Sequence, residues 1–267
     1  PARTWDAAEA DCEKAISLDK RCYYPYMVRG QIRLLHKNDK IGAGSDFGIA
    51  VSHAPRIAEC FYWRGRVLQE TNDKEGAMRA YDRAVLLDDK NPRVYANRGT
   101  VRRQLKNLDG AYKDLEKAVN LDPKNSKILL QRARLIWVQL KTDKIPYHAQ
   151  QWSRVLNDLR DAIANAPEDP EMHGAYGRRA FLYRRRDKRL EAEADYERAI
   201  ELGAKATPDL AWNWHGQRGL FYFDEKRWED AKADFLAYQK KAPSTHQLYE
   251  NIRRKLDLCR QEIDKRE

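Results

Sequence analysis

The chain has 267 residues, with 51 Lys and Arg against 41 Asp and Glu, a formal net charge of +10. Its 42% hydrophobic content suffices for a core and excludes wholesale disorder. The longest apolar runs, such as Leu135-Ile136-Trp137-Val138, fall far short of the ~20 residues that cross a bilayer, so no membrane insertion is expected. Only 13 Gly and 10 Pro, with abundant Ala, Leu, Glu, Lys and Arg, point to helices.

In chain order, residues 1–20 predict a single helix with Ala8, Cys12 and Ala15 on one stripe. Helix–turn–helix units follow over 23–57, 58–91, 92–125, 126–169, 173–207 and 212–243. The first helix of each carries an arginine followed by a small residue: Arg29-Gly30, Arg64-Gly65, Arg98-Gly99, Arg132-Ala133, Arg179-Ala180 and Arg218-Gly219. The spacings are 35, 34, 34, 47 and 39, so the fourth and fifth intervals hold insertions. The second helix carries Ala43, Ala77, Ala111, Val155, Ala192 and Ala231. Four residues later comes a large apolar group: Phe47, Tyr81, Leu115, Leu159, Tyr196 and Phe235. Three further on stand Ala50, Ala84, Ala118, Ala162 and Ala199, with Tyr238 in that column of the last unit, where it predicts a splayed packing. Apolar groups at i, i+4 and i+7 share one helix stripe, and small residues on it allow close helix approach. One such hairpin cannot bury both faces, whereas stacked hairpins can. A terminal helix over 244–265, with Leu248, Ile252, Leu256, Cys259 and Ile263 on its stripe, predicts a polar cap. The opening helix lacks a partner of its own kind, which predicts a bare core side there, and either a chain cut from something longer, such as a regulatory or targeting segment of a larger protein, or an end covered by a partner.

These columns strongly resemble the tetratricopeptide repeat, the stretch 91–123 most closely, through Tyr95, Gly99, Ala111, Leu115, Ala118 and Pro123. The resemblance implies an all-α fold: a right-handed α-α superhelix, or solenoid, of helix–turn–helix repeats with a C-terminal capping helix. It also implies a single array over 1–267 whose first helices line a concave groove for a protein partner.

Two further columns bear on chemistry. The second helices carry Asp11, Asp46, Asp114, Asp158, Asp195 and Asp234, placed to meet the arginines as structural ion pairs. The unit over 58–91 breaks this column with Ala80, so either Arg64 or Arg98 loses its partner, depending on whether pairing runs within or between units. Trp5, Trp152 and Trp228 recur near the start of second helices and predict packing at the turn.

The groove side of the first helices supplies the candidate partner-binding residues: Tyr62, Trp63, Arg66, Arg93, Asn97, Arg103, Lys127, Arg134, Trp137, Arg178, Phe181, Arg184 and Arg185. Residues 178–189 hold seven basic groups against Asp187. A cleft of one sign captures the other, so the expected partner is an acidic or extended protein segment. The charge and interleaved aromatics also permit nucleic acid, less favoured because no RNA-reading repeat code is present. A chaperone-type carboxylate clamp is matched only at Asn97 and Lys127, so no chaperone tail is expected.

No nucleotide loop, nucleophile elbow or zinc-ligand spacing is present, so neither catalysis nor a cofactor or metal is expected. The scattered thiols Cys12, Cys22, Cys60 and Cys259 favour a reducing, cytoplasmic setting. Residues 141–151 carry an insertion in which Asp143, ahead of Pro146, predicts a helix start. The stretch 202–208 predicts a linker turn.

Overall fold

A computed structural model describes residues 2–143, 149–206 and 211–265, with side chains from Thr4 onward. The described residues are helical apart from short connections, and they fall into two compact units, Pro1–Pro123 and Lys124–Glu267.

The first unit comprises α1 (Ala2–Leu18), α2 (Tyr23–Leu35), α3 (Lys40–His53), α4 (Ala58–Glu70), α5 (Lys74–Leu87), α6 (Pro92–Gln104) and α7 (Leu108–Leu121). Consecutive helices pair as hairpins α2–α3, α4–α5 and α6–α7, and α1 packs on α2. The interlock is a small residue meeting a large one. A Cβ at Gly65 would lie 2.6 Å from Tyr81, and one at Gly30 2.8 Å from Phe47. Tyr81 and Phe47 are themselves fully buried. Trp5 stacks on His36 at a centroid distance of 3.7 Å.

Each hairpin turn is built the same way. Asn38, Asn72 and Lys106 adopt φ of 53°, 64° and 63°, a left-handed conformation that reverses the chain. The next residue caps the second helix. Asp39, Asp73 and Asn107 accept from the amides of Gly42, Gly76 and Gly110 at 2.8, 2.8 and 2.9 Å. The glycine three residues on leaves room for the capping side chain, which a Cβ would meet at under 3 Å.

The second unit comprises α8 (Ser126–Thr142), α9 (Gln151–Asn165), a 3-10 turn (Pro170–Met172), α10 (His173–Arg185), α11 (Arg189–Ala206), α12 (Trp212–Asp224), α13 (Trp228–Lys241) and α14 (Tyr249–Asp264). Hairpins α8–α9, α10–α11 and α12–α13 form, and α14 packs on α13 through buried Ile252, Leu256, Cys259 and Ile263. Trp152 is fully buried near the start of α9, edge-on to Trp137 at 5.2 Å, and Trp228 opens α13 against Phe223.

Three expectations are corrected here. Asp143 ends α8 as its C-cap and does not start a helix, because buried Leu135, Ile136 and Leu140 extend the first helix of that hairpin. Within the insertion 141–151, residues 144–148 lie outside the described residues. The stretch 202–206 is helical, not a linker turn, because Leu202 and Gly203 are buried and continue the stripe of Ala199; residues 207–210, Pro208 among them, lie outside the described residues. Tyr238 does not splay the last hairpin. It is fully buried, because Gly216 leaves the space its ring fills, where a Cβ would sit 2.6 Å from Tyr238.

Candidate functional site

The arginine column is structural at five of its six positions, and the pairing is within the hairpin. Arg29 meets Asp46 at 3.0 and 2.7 Å, Arg98 meets Asp114 at 3.0 and 2.7 Å, and Arg132 meets Asp158 at 2.9 and 2.7 Å. Arg179–Asp195 and Arg218–Asp234 repeat this two-pronged geometry. The five aspartates are 1–5% exposed. The hydrogen bond to Asp46 raises the pKa of Arg29 above its usual value, against the opposing effect of burial. The arginine left over is therefore Arg64, while Arg98 holds both Asp114 and Asp82.

The candidate groove residues of the first unit form one cluster, largely satisfied from within. Tyr62 and Trp63 are buried at 4% and 6% exposure, not displayed. Trp63 Nε1 donates to Glu59 at 2.7 Å, and Arg93 pairs with the same carboxylate at 2.9 Å while lying over the Tyr62 ring at 4.6 Å. Asn97 donates to the Tyr62 hydroxyl at 3.4 Å, and Arg66 lies over Trp63 at 5.2 Å. Arg103 stands apart from this cluster, exposed near the end of α6.

In the second unit the candidates separate into two kinds. Lys127 pairs with Glu171 at 3.0 Å, and Arg184 pairs with Asp224 and donates to the Leu220 carbonyl, so these two are engaged. Arg134, Trp137, Arg178 and Phe181 line two neighbouring clefts. One, of about 280 Å³, is lined by Trp137, Arg178, Phe181, Asn213, Trp214 and Gln217. The other, of about 410 Å³, is lined by Lys127, Leu130, Gln131, Arg134, Glu171 and His173. Trp137 meets Phe181 edge-on at 5.5 Å, and Arg185 lies over Phe181 at 5.3 Å.

Arg178 is the unusual group. Its one hydrogen bond goes to the Gly174 carbonyl at 2.7 Å, and no carboxylate pairs with it among the described residues. Burial, and then the charge of Arg134, pull its pKa down to about 10. It remains a cation at neutral pH, held beside another cation. The same surroundings lower the pKa of His173, through burial, Arg134 and Arg178 in that order. A neutral imidazole suits its contact, since Trp214 Nε1 donates to His173 Nδ1 at 2.8 Å. Gln131 Oε1 is buried at the second cleft without a hydrogen-bond partner among the described residues.

Trp214 and His173 are absent from the sequence-based candidates. A signal for Trp214 exists. The position two before each column arginine runs Met27, Tyr62, Ala96, Leu130, Gly177 and Gly216. At Gly177 a Cβ would lie 2.3 Å from Trp214, so a glycine in this column opens room for an aromatic ring, from the next first helix at Gly177 and from its own hairpin's Tyr238 at Gly216.

The tetratricopeptide repeat family matches residues 58–91 and 92–125. These are the hairpins α4–α5 and α6–α7 with their turns. Residues 58–125 are thus two tetratricopeptide repeats. No curated protein matches the sequence. Among solved structures, the APC/C hetero-tetramer Cut9-Hcn1 superposes with a TM-score of 0.73 at 14% identity, over 96% of this chain and 46% of that one. The chain thus spans under half the length of that structure's chain. PilF of Pseudomonas aeruginosa gives a TM-score of 0.71 at 16% identity, over 88% and 97% of the two chains. YrrB, described as a tetratricopeptide protein with an unusual peptide-binding site, gives 0.51 at 18% identity, over 73% and 93%. At these identities the likeness establishes the fold, an all-α solenoid of helix hairpins. Tetratricopeptide repeats build scaffolds for protein–protein interaction and are generally non-catalytic.

Proposed function

We propose that this protein holds an acidic, extended segment of a protein partner against the first helices of its second unit. Arg178 carries the reading: a half-buried guanidinium with a backbone carbonyl and a like charge for company, and no carboxylate. An incoming acidic side chain would supply the missing counter-charge, and a charge-assisted pair of this kind is among the stronger polar contacts. Around it, Trp137, Phe181 and Trp214 offer aromatic walls for a neighbouring apolar side chain. Asn213, Gln217 and the unsatisfied Gln131 oxygen offer amide contacts of the sort an extended backbone uses. The first-unit candidates Tyr62, Trp63, Arg66, Arg93 and Asn97 contribute less, since their polar groups already have partners within the cluster.

Fluorescence anisotropy of a labelled eight-residue peptide of alternating Glu and Leu tests this. Binding is expected, weakening as salt rises. In an Arg64→Gln background, Arg178→Glu should reduce it at least tenfold with helicity by circular dichroism unchanged. Equal binding by Arg178→Glu, or stronger binding of single-stranded RNA than of the peptide at low salt, would overturn the proposal.

A further inference from the structure

The hairpin α4–α5 departs from its neighbours at one coherent place. In α6–α7, Asp114 is gripped by Arg98 and also by Arg102 at 2.9 Å; in α2–α3, Asp46 is gripped by Arg29 and by Arg33 at 3.0 Å. The equivalent positions of α4–α5 are Arg64, Leu68 and Ala80. The column arginine is kept, while the carboxylate and the second arginine have become small and apolar. Arg64 is exposed and has no partner among the described residues, whereas Arg98 is 12% exposed and doubly paired.

What replaces the aspartate is space. A cleft of about 260 Å³ opens there, lined by Phe61, Arg64, Leu68, Asp73, Arg79 and Ala80. A water occupies roughly 30 Å³ of liquid, so the cleft takes a carboxylate and part of a neighbouring side chain. Its charge is net positive. Arg64 and Arg79 face one carboxylate, Asp73, whose Oδ1 is engaged by the Gly76 amide at 2.8 Å. Phe61 and Leu68 form an apolar wall.

We propose that this cleft is a carboxylate socket. An Asp or Glu side chain of a partner protein, with an aliphatic neighbour against Phe61 and Leu68, takes the place that Asp114 and Asp46 hold in the adjacent repeats. The observation that fixes the ligand class is internal to the molecule: in five hairpins the column arginine is met by a carboxylate in two-pronged geometry, and the sixth keeps the arginine and the room without the carboxylate. The socket shares no residue with the cleft around Arg178, so it stands or falls separately from the function proposed above.

The test follows the Nε–Hε resonances of [15N]arginine-labelled full-length protein. The probes are the blocked peptide acetyl-Leu-Asp-Leu-amide, its Asn counterpart, and acetate exchanged for chloride at constant ionic strength. The Arg64 resonance is expected to shift saturably with the Asp peptide and not with the Asn peptide, and to bind acetate at least tenfold more weakly. In Ala80→Asp it should already stand at the bound position and ignore the probes. In an Arg178→Glu background, which silences the cleft of the second unit, Arg64→Gln, at an exposed site that does not threaten folding, should abolish peptide binding by calorimetry. An unmoved Arg64 resonance, or an Ala80→Asp protein that titrates like the parent, overturns the socket. Acetate binding as tightly as the peptide overturns the partner side chain as its occupant.

Discussion

Hairpins α4–α5 and α6–α7 are consecutive, both match the tetratricopeptide family, and both hold a glycine against a large residue of the second helix. They differ in what secures them. In α6–α7 the second helix is tied to the first by a buried carboxylate shared between Arg98 and Arg102. In α4–α5 the tie is aromatic: the Tyr81 ring fills the space over Gly65, and its hydroxyl donates to Gln69 at 3.1 Å. Hairpin α2–α3 holds both, the Phe47 ring over Gly30 and the Arg29–Asp46 pair, so the two ties can coexist; α4–α5 is set apart by relying on the ring without the carboxylate.

The largest effect should come from breaking the ionic lock. Asp114→Ala leaves Arg98 and Arg102 without their shared carboxylate, and should cost about 3 kcal/mol in denaturant unfolding, moderated by the remaining contact with Asp82. The matching change at Arg64, Arg64→Ala, should cost under about 0.5 kcal/mol, since an exposed, unpaired side chain is removed.

Next comes the aromatic lock. Gly65→Ala forces a methyl to 2.6 Å from a ring that is fully buried, and should destabilise by about 2 kcal/mol. Gly99→Ala meets Leu115 and the Ala111 carbonyl at 3.2 Å, a contact small shifts relieve, and should cost under about 1 kcal/mol. Equal losses would mean that the two locks are interchangeable.

A smaller effect, of opposite sign, is expected from installing the ionic lock where it is missing. Ala80→Asp should stabilise by about 1 kcal/mol, the gain from a charge-assisted pair less the cost of desolvating the new carboxylate. Thermal unfolding at pH 7 and again near pH 3 checks the cause, because the gain must vanish once the carboxylate is protonated.

The smallest signal is chemical. Burial pushes the Cys60 thiol in α4 up to about 11, so roughly 0.1% is thiolate at pH 8. Alkylation of the folded protein should mark the half-buried Cys22 well before Cys60, with the Cys60 rate rising about tenfold per pH unit towards 11. Mass spectrometry of timed quenches reads both. Prompt Cys60 labelling would show that α4 opens locally.

Much of the fold was legible because the repeat writes the same contact six times. The arginine, the small residue and the large apolar residue could be read as columns, and the Ala80 gap was visible as a broken column. The direction of pairing was not, since Arg64 and Arg98 stand equally well placed on paper. The candidate site was legible in kind only. Arg134, Trp137, Arg178 and Phe181 are brought to the clefts, yet Tyr62 and Trp63 turn inward, and Arg93, Lys127 and Arg184 already hold carboxylates. Residue type gives the charge of a side chain, but its freedom depends on neighbours from other helices. Trp214 and His173 were missed for the same reason: neither belongs to a repeating column, and each matters through the other.

The sequence by itself determined the helical hairpin, its register and the columns of small and large apolar residues that let its helices approach closely, because these follow from helix period and side-chain volume within some thirty residues. Only the tertiary structure decided that the ion pairs close within each hairpin, that Arg64 is the arginine without a carboxylate, and that Arg178 is left with a carbonyl and a second cation. Those outcomes depend on which charges reach within about 3 Å of one another, a matter of packing between helices that no single stretch of sequence encodes.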